Sequence, residues 1–329
     1  MCHTAGEMGR ARRDRYGPPD VIEIVDAERP APQAEEILVR VHAATVNRSD
    51  CAVLLARPFF MRLMTGLRRP KRDDLGSDFA GEVEAVGSDV TRFAVGDRVW
   101  GFKDLGLGSH AECLVIRETE AVALMPGGVS YEDAAASIEG AFYAFNFVNK
   151  VNVDARSRVL VNGATGAIGS ALLQLCKNAG ATVTAVGNTR NLELLRSLGA
   201  DAVIDYETTD FTQCRETFDY VFDAVGKSSF GRCRGLLARR GVYISSELGP
   251  GWQNPFLALV TPVFRRRKVV FPVPRDILGF LALMKDWLEA GQFRPVIDRR
   301  YTLDGIREAY AFVASGQKTG NVLLTTNGE

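Results

Sequence analysis

The sequence predicts an α/β protein with a doubly wound parallel sheet, preceded by an irregular antiparallel β-barrel. Three observations carry this. The first third reads as short strands cut by Gly and Pro. Near Ser130 the text turns Ala- and aromatic-rich with helical spacing, and from Arg158 strands and helices alternate. That alternation gives βαβ units and therefore a parallel sheet.

In the first third, Ile37–Val41 alternates apolar and polar side chains like a half-buried strand, and Asp78–Val86 is a second strand closed by Gly87-Ser88. A Gly96-Asp97 turn leads into a strand at Val99-Trp100. Tyr131–Asn149 reads as helical. Then follow a buried strand at Val159–Val161, a helix at Ser170–Ala179 ended by Gly180, and a strand at Thr182–Val186. A helix over Asn191–Leu198 is ended by Gly199, and further strands are read at Ala202–Ile204, Tyr220–Phe222 and Val242–Ile244. The tail holds helices at Ile277–Ala290 and Leu303–Ala314 and a last strand at Asn321–Thr325.

The 329 residues allow two domains of ordinary size, and 46% hydrophobic with 24% charged residues is a globular mix. Forty basic residues balance forty acidic ones, which removes any general attraction to nucleic acid or anionic lipid. Six scattered cysteines with no CxxC pair point to free thiols in a reduced cytoplasm. No secretory h-region and no apolar run of membrane-spanning length is expected, and Met8 is a second candidate start.

The chemistry begins at Val159–Gly169, VLVNGATGAIG, where a buried strand meets Gly163, Gly166 and Gly169 and a helix follows. Such glycines let the backbone approach a pyrophosphate, and the helix N-terminus offers N–H groups and the positive dipole end. The spacing is GxxGxxG and not GxGxxG, so the βαβ context carries the dinucleotide (Rossmann) reading; the alternative is an ordinary strand-to-helix turn. Thr165, Gly166, Ala167, Ile168 and Gly169 are the expected phosphate contacts. The second strand ends Val186-Gly187 without the acid that holds the 2′-hydroxyl of NAD, and Asn188, Thr189 and Arg190 follow. A guanidinium with two small polar groups suits a 2′-phosphate, which favours NADPH; the alternative is a solvated Arg190.

The segments GSDFAGEVEAVGSDVTRFAVGDRVWGF (Gly76–Phe102), NGATGAIGSALLQLCKNAGATVTAV, LRSLGADAVIDY, FDAVGKSSF and GQKTGNVLL together resemble the medium-chain dehydrogenases/reductases, in their zinc-independent quinone oxidoreductase branch. The resemblance runs from about Tyr16 nearly to the end. It implies a GroES-like barrel built from both chain ends, residues 1–128 and 273–329, with a Rossmann domain at 129–272. It also implies a cleft between the domains and a homodimer. Zinc members carry CHxD-like and GHE segments; here Asn47 and Ser77 stand where the cysteine and histidine would be. No cysteine lies near Glu139–Tyr143 and there is no four-cysteine lobe. His3, His42 and His110 read as structural or exposed, so no metal is expected.

Without zinc an alcohol is poorly polarised, whereas a quinone or an α,β-unsaturated carbonyl already accepts hydride. The expected activity is therefore NADPH-dependent reduction of such acceptors. An aldehyde or alcohol oxidoreductase and a non-catalytic NADPH sensor are the alternatives. By resemblance Asn47 faces the nicotinamide end and contacts substrate or cofactor amide; a turn Asn bonding its own backbone is the alternative. No Tyr follows it at Cys51–Leu55, where many relatives have one. Tyr143 is a second catalytic candidate, or else a packed helix residue. Tyr206 is placed at the adenine edge and Val225-Gly226 beside the nicotinamide. Two apolar segments, Pro58–Met64 and Gly251–Phe264, line a hydrophobic pocket or serve as core or dimer contact. The run Arg265–Lys268 reads as the charged approach to an edge strand at Val269–Phe271.

Overall fold

The computed structural model describes residues 6–104, 106–264 and 266–326; Cys2, His3 and Arg265 lie outside them. In chain order the elements are β1 (Glu7–Arg12), β2 (Glu23–Glu28), β3 (Glu36–Val46), α1 (Arg48–Leu55), α2 (Met61–Thr65), β4 (Asp78–Val86), β5 (Arg98–Phe102), β6 (Cys113–Arg117) and β7 (Val122–Leu124). There follow α3 (Tyr131–Ala136), α4 (Glu139–Val148), β8 (Arg158–Asn162), α5 (Ala167–Asn178), β9 (Thr182–Gly187), α6 (Leu192–Ser197), β10 (Ala202–Asp205), β11 (Phe218–Asp223), α7 (Phe230–Cys233), β12 (Leu237–Ser245), α8 (Gln253–Val260) and β13 (Lys268–Val270). The chain ends with α9 (Ile277–Glu289), β14 (Ile297–Thr302), α10 (Ile306–Ala314) and β15 (Asn321–Thr325).

These elements fall into two compact units: residues 1–139 with 277–329, and residues 140–276. The first is the GroES-like β domain. Its main sheet runs β14-β15-β3-β4-β5-β7, with β6 paired to β3. β3 is eleven residues long and is buried along most of its length, so its alternation feeds a core of Ile37, Val39, Val41, Phe79, Val83 and Val99. β15 runs antiparallel to β3 with Val322 opposite Val46, which returns the chain end to the sheet it began. The sheet is antiparallel except where α10 carries β14 into β15 as a parallel crossover.

The second unit is the Rossmann-like domain. Its six strands are all parallel in the order β10-β9-β8-β11-β12-β13. The order reverses between β8 and β11, and in such sheets ligands bind outside the carboxyl ends of the strands at that reversal. Val161, Val186, Val221, Phe222, Tyr243 and Val269 are fully buried in it. β13 is the edge strand expected after the basic run.

Several elements went unread in the sequence: the β1–β2 hairpin, α1, α2, β6, β7, α7, α8 and β14. The two apolar segments are split in role: Leu257 and Ala258 pack on the Rossmann core, and other side chains stand out from the surface. Phe59 and Leu63 are 67% and 70% exposed, and Phe256 and Leu259 of α8 are 64% and 78% exposed. Among the described residues no helix is long and apolar enough to cross a membrane.

Candidate functional site

The strand-to-helix turn after β8 is built for close backbone approach. Gly163 sits at φ +74°, and a Cβ on Gly169 would lie 2.1 Å from the Gly163 carbonyl oxygen, so the start of α5 rests on the turn itself. Gly166 is the N-cap of α5 and no side chain caps it. The first N–H groups of a twelve-residue helix therefore face outward without intrahelical partners, beside the positive end of the dipole. A Cβ at Gly166 would meet nothing closer than 3.7 Å. That open cradle fits a pyrophosphate.

The neighbouring strand ends complete this half of the site. Thr165 packs on Gly187, where a Cβ would come within 2.9 Å of its Cγ2. The Tyr206 N–H donates to the Gly187 carbonyl at 3.0 Å, and half-exposed Tyr206 stands at the edge of the turn. After β9, Asn188 precedes a 3-10 turn over Thr189–Asn191 that includes Arg190. The sequence reading found no acid at the end of β9, but the parallel register sets Asp205 opposite Gly187 and brings acids from β10. The Thr189 hydroxyl lies 2.6 Å from Asp205 Oδ2 and 2.7 Å from Glu207 Oε2. Val225 and Gly226 follow β11, and Val225 packs against Gly163, where a Cβ would fall 2.3 Å from its Cγ1. Thr165–Gly169, Asn188–Arg190, Tyr206 and Val225-Gly226 thus share the carboxyl edge of one sheet. Tyr143 lies on α4 of the same unit, half-buried and tilted against Phe142 at 6.2 Å between ring centroids.

Asn47 belongs to the other unit, in a buried polar network that sequence reading did not foresee. It stands in extended backbone ahead of α1, and its N–H donates to Asp50 Oδ2 at 2.8 Å. Its amide nitrogen lies 2.6 Å from Thr45 Oγ1, 3.2 Å from Asp78 Oδ2 and 3.1 Å from Glu139 Oε2. Ser77 donates to the same Glu139 oxygen at 2.8 Å, and Ser49 bonds the other one. Asp78 also accepts from the Thr45 N–H at 2.7 Å. Asn47 is 3% exposed and Glu139 6%, whereas Ser49 is part-exposed.

Three carboxyls share this pocket with few counter-charges. Burial pushes each of Asp50, Asp78 and Glu139 up to about 8, and the neighbouring carboxylates add to it. Like charges so close in a low dielectric do not all ionise, so the network holds protons at neutral pH. Asn47 and Ser77, which stand where zinc-containing members carry cysteine and histidine, both bond Glu139. A signal was available: Glu139 is an acid in an otherwise apolar helical run, and Asp78 opens a strand whose first four residues are all buried.

The two described histidines, His42 and His110, have other neighbours. His110 lies 3.0 Å from the Thr45 carbonyl through Nε2 and meets the Tyr310 hydroxyl through Nδ1, and burial lowers its pKa to about 4. His42 stacks on Tyr131 at 4.1 Å. Among the described residues no group of three or more His, Cys, Asp or Glu could hold a metal ion.

Residues 33–142 match the family described as alcohol dehydrogenase GroES-like domain, and residues 198–324 match zinc-binding dehydrogenase. The 2-methylene-furan-3-one reductase of Solanum lycopersicum is 30% identical over 321 residues, covering 94% of this chain and 76% of that protein. The chain belongs to the medium-chain dehydrogenase/reductase family. Within it, the quinone oxidoreductase of Pseudomonas aeruginosa is 29% identical over 332 residues, covering 94% and 97% of the two chains. The solved quinone oxidoreductase of Coxiella burnetii superposes with a TM-score of 0.85 at 25% identity, over 98% of this chain and all of that one. This medium-chain dehydrogenase/reductase is thus quinone-oxidoreductase-like, an oxidoreductase whose Rossmann domain implies a nicotinamide cofactor.

Proposed function

We propose that this chain reduces quinones or α,β-unsaturated carbonyl compounds with NADPH and without zinc. The observation that carries this reading is the network joining Asn47, Ser77 and Glu139. An amide and a hydroxyl, both hydrogen-bonded to one carboxyl, stand in place of the thiolate and imidazole donors that a tetrahedral zinc site needs. The donor set does not fit zinc, so the acceptor must be activated already.

The reduced nicotinamide supplies hydride when bound. Thr165–Gly169 hold the diphosphate on the N-terminus of α5, Arg190 with Asn188 and Thr189 take the 2′-phosphate, Tyr206 flanks the adenine, and Val225-Gly226 border the nicotinamide. Asn47 has its amide committed inside the network, so we assign it to holding Glu139 in place. The part-exposed Ser49 hydroxyl, bonded to the Glu139 carboxyl, can carry that carboxyl's proton outward. Glu139 is left as a carboxylate and regains its proton from solvent by the same path. Tyr143 remains a second hydroxyl donor on α4. The exposed apolar side of α8 supports self-association as a homodimer, and the free cysteines support a reducing, cytoplasmic setting.

Steady-state oxidation of NADPH with a quinone, an enone and an aldehyde tests the reading, alongside metal analysis of the purified protein. Turnover of quinone or enone with no stoichiometric zinc is expected. Turnover of aldehyde alone, or activity lost to a chelator, would reject it.

A further inference from the structure

Asp223, the last residue of β11, is a buried carboxylate that neither the phosphate turn nor the Ser49–Glu139 path uses. It is 0% exposed. Among the described residues no cation pairs with it. Five donors surround it instead. Oδ1 accepts from Asn162 Nδ2 at 2.9 Å and from the Gly226 N–H at 3.0 Å, with the Val225 N–H at 3.4 Å. Oδ2 accepts from the Ser228 N–H at 3.0 Å and the Tyr243 hydroxyl at 3.0 Å. Burial first, and then the nearby Asp223 charge, push the Tyr243 phenol well above its ordinary value, so it stays a donor.

The place of these bonds matters. Asn162 ends β8 and Asp223 ends β11, the two strands between which the sheet order reverses. The Asn162–Asp223 bond therefore spans the switch point at the carboxyl edge, and the same carboxylate gathers the backbone N–H groups of the turn that leaves it. Val225 of that turn is also the side chain against which Gly163 of the phosphate turn is closed. A buried anion held by neutral donors is costly unless every lone pair is satisfied, and here the donors are mostly backbone of one short turn.

We propose that Asp223 is the positioning residue of the nicotinamide half-site, fixing the Val225–Ser228 turn at the switch point so that its backbone meets the ring end of the cofactor in one geometry. This rests on the cofactor reading above. Asp223→Asn keeps the size of the side chain but points an NH2 group at N–H donors, so the turn loses its register while β8 and β11 remain paired. Asn162→Ala removes one donor and the bridge and leaves the N–H bonds to Asp223.

The test compares NADPH with 2′-phospho-ADP-ribose, which keeps the adenosine and diphosphate and lacks the nicotinamide. Fluorescence or calorimetric titration of both ligands is run with turnover and thermal melting on wild type, Asp223→Asn and Asn162→Ala. The expected result is NADPH affinity and kcat each down about tenfold or more in Asp223→Asn, with a smaller loss of the same kind in Asn162→Ala. Binding of the fragment should stay within about twofold of wild type in both. Equal weakening of NADPH and fragment, or no change in either, would overturn the proposal, and if Asp223→Asn does not fold the Asn162→Ala split decides alone. Wild-type protein that binds neither ligand would instead remove the cofactor reading itself.

Discussion

Gly166→Val separates the cofactor role of the turn from its structural role. Gly166 has φ −78° and ψ 173°, an extended conformation open to any residue. Its Cβ would meet only the Gly163 carbonyl oxygen, at 3.7 Å, so a valine there enters open space. As an N-cap, Val is worse than Gly by about 1 kcal/mol or less, and the fold should survive. The added methyl groups stand over the first N–H groups of α5, where we propose that the diphosphate binds. Hydrogen bonds to a charged partner contribute about 1.5–3 kcal/mol each, so losing two lowers affinity by about a hundredfold to ten-thousandfold. NADPH fluorescence titration beside a thermal melt measures both quantities on one sample. A folded Gly166→Val protein with wild-type NADPH affinity would refute the assignment of this turn. A variant that fails to fold would refute the claim that the space is empty.

Gly169→Ala should do the reverse of Gly166→Val, because its Cβ would lie 2.1 Å from the Gly163 oxygen and 2.7 Å from the Ala164 Cα. The helix must shift, at a cost of about 1–3 kcal/mol read as a lower melting temperature. Arg190→Ala should raise KM for NADPH about tenfold and leave NADH nearly unchanged, and equal effects would reject the 2′-phosphate role. Glu207→Gln removes a negative charge that bonds Thr189, so NADPH affinity should rise about fivefold; an unchanged or weaker affinity would place the phosphate elsewhere. Stability should fall between pH 6.5 and 8. Asp50, Asp78 and Glu139 at about 8 keep protons that the unfolded chain has already released, so the folded state loses ground as pH rises through that window. His110, lowered to about 4, affects stability below pH 6.5, and Lys318, lowered to about 8, affects it above that value. Melting temperatures across the window should decline, and Asp78→Asn should flatten the slope; an unchanged slope would remove Asp78 from the protonated set.

The parts legible in the sequence are those set by local periodicity and turn chemistry. β4 at Asp78–Val86 and β15 at Asn321–Thr325 match their expected spans, and α9 at Ile277–Glu289 differs by one residue, because alternation and helical spacing are written in adjacent residues. The turn through Gly163–Gly169 was readable for the same reason: strand, glycines and helix are contiguous. β1 and β2 were missed because EMGRAR and EIVDAE carry too little apolar alternation, and α8 because it follows a Gly-Pro-Gly turn and exposes apolar side chains.

Sequence by itself determined the fold class and the glycine-rich strand-to-helix turn, since short-range patterns of burial and backbone freedom suffice for both. Tertiary structure alone decided which polar groups meet. Glu139 bonds Ser77 and Asn47 across sixty-two and ninety-two residues of chain. Asp205 and Glu207 arrive beside Thr189 through the register of β10 on β9, and Asp223 reaches Asn162 across the reversal of the sheet. A buried polar atom must find a partner or leave the interior, but nothing near it in the chain states which distant residue will supply that partner.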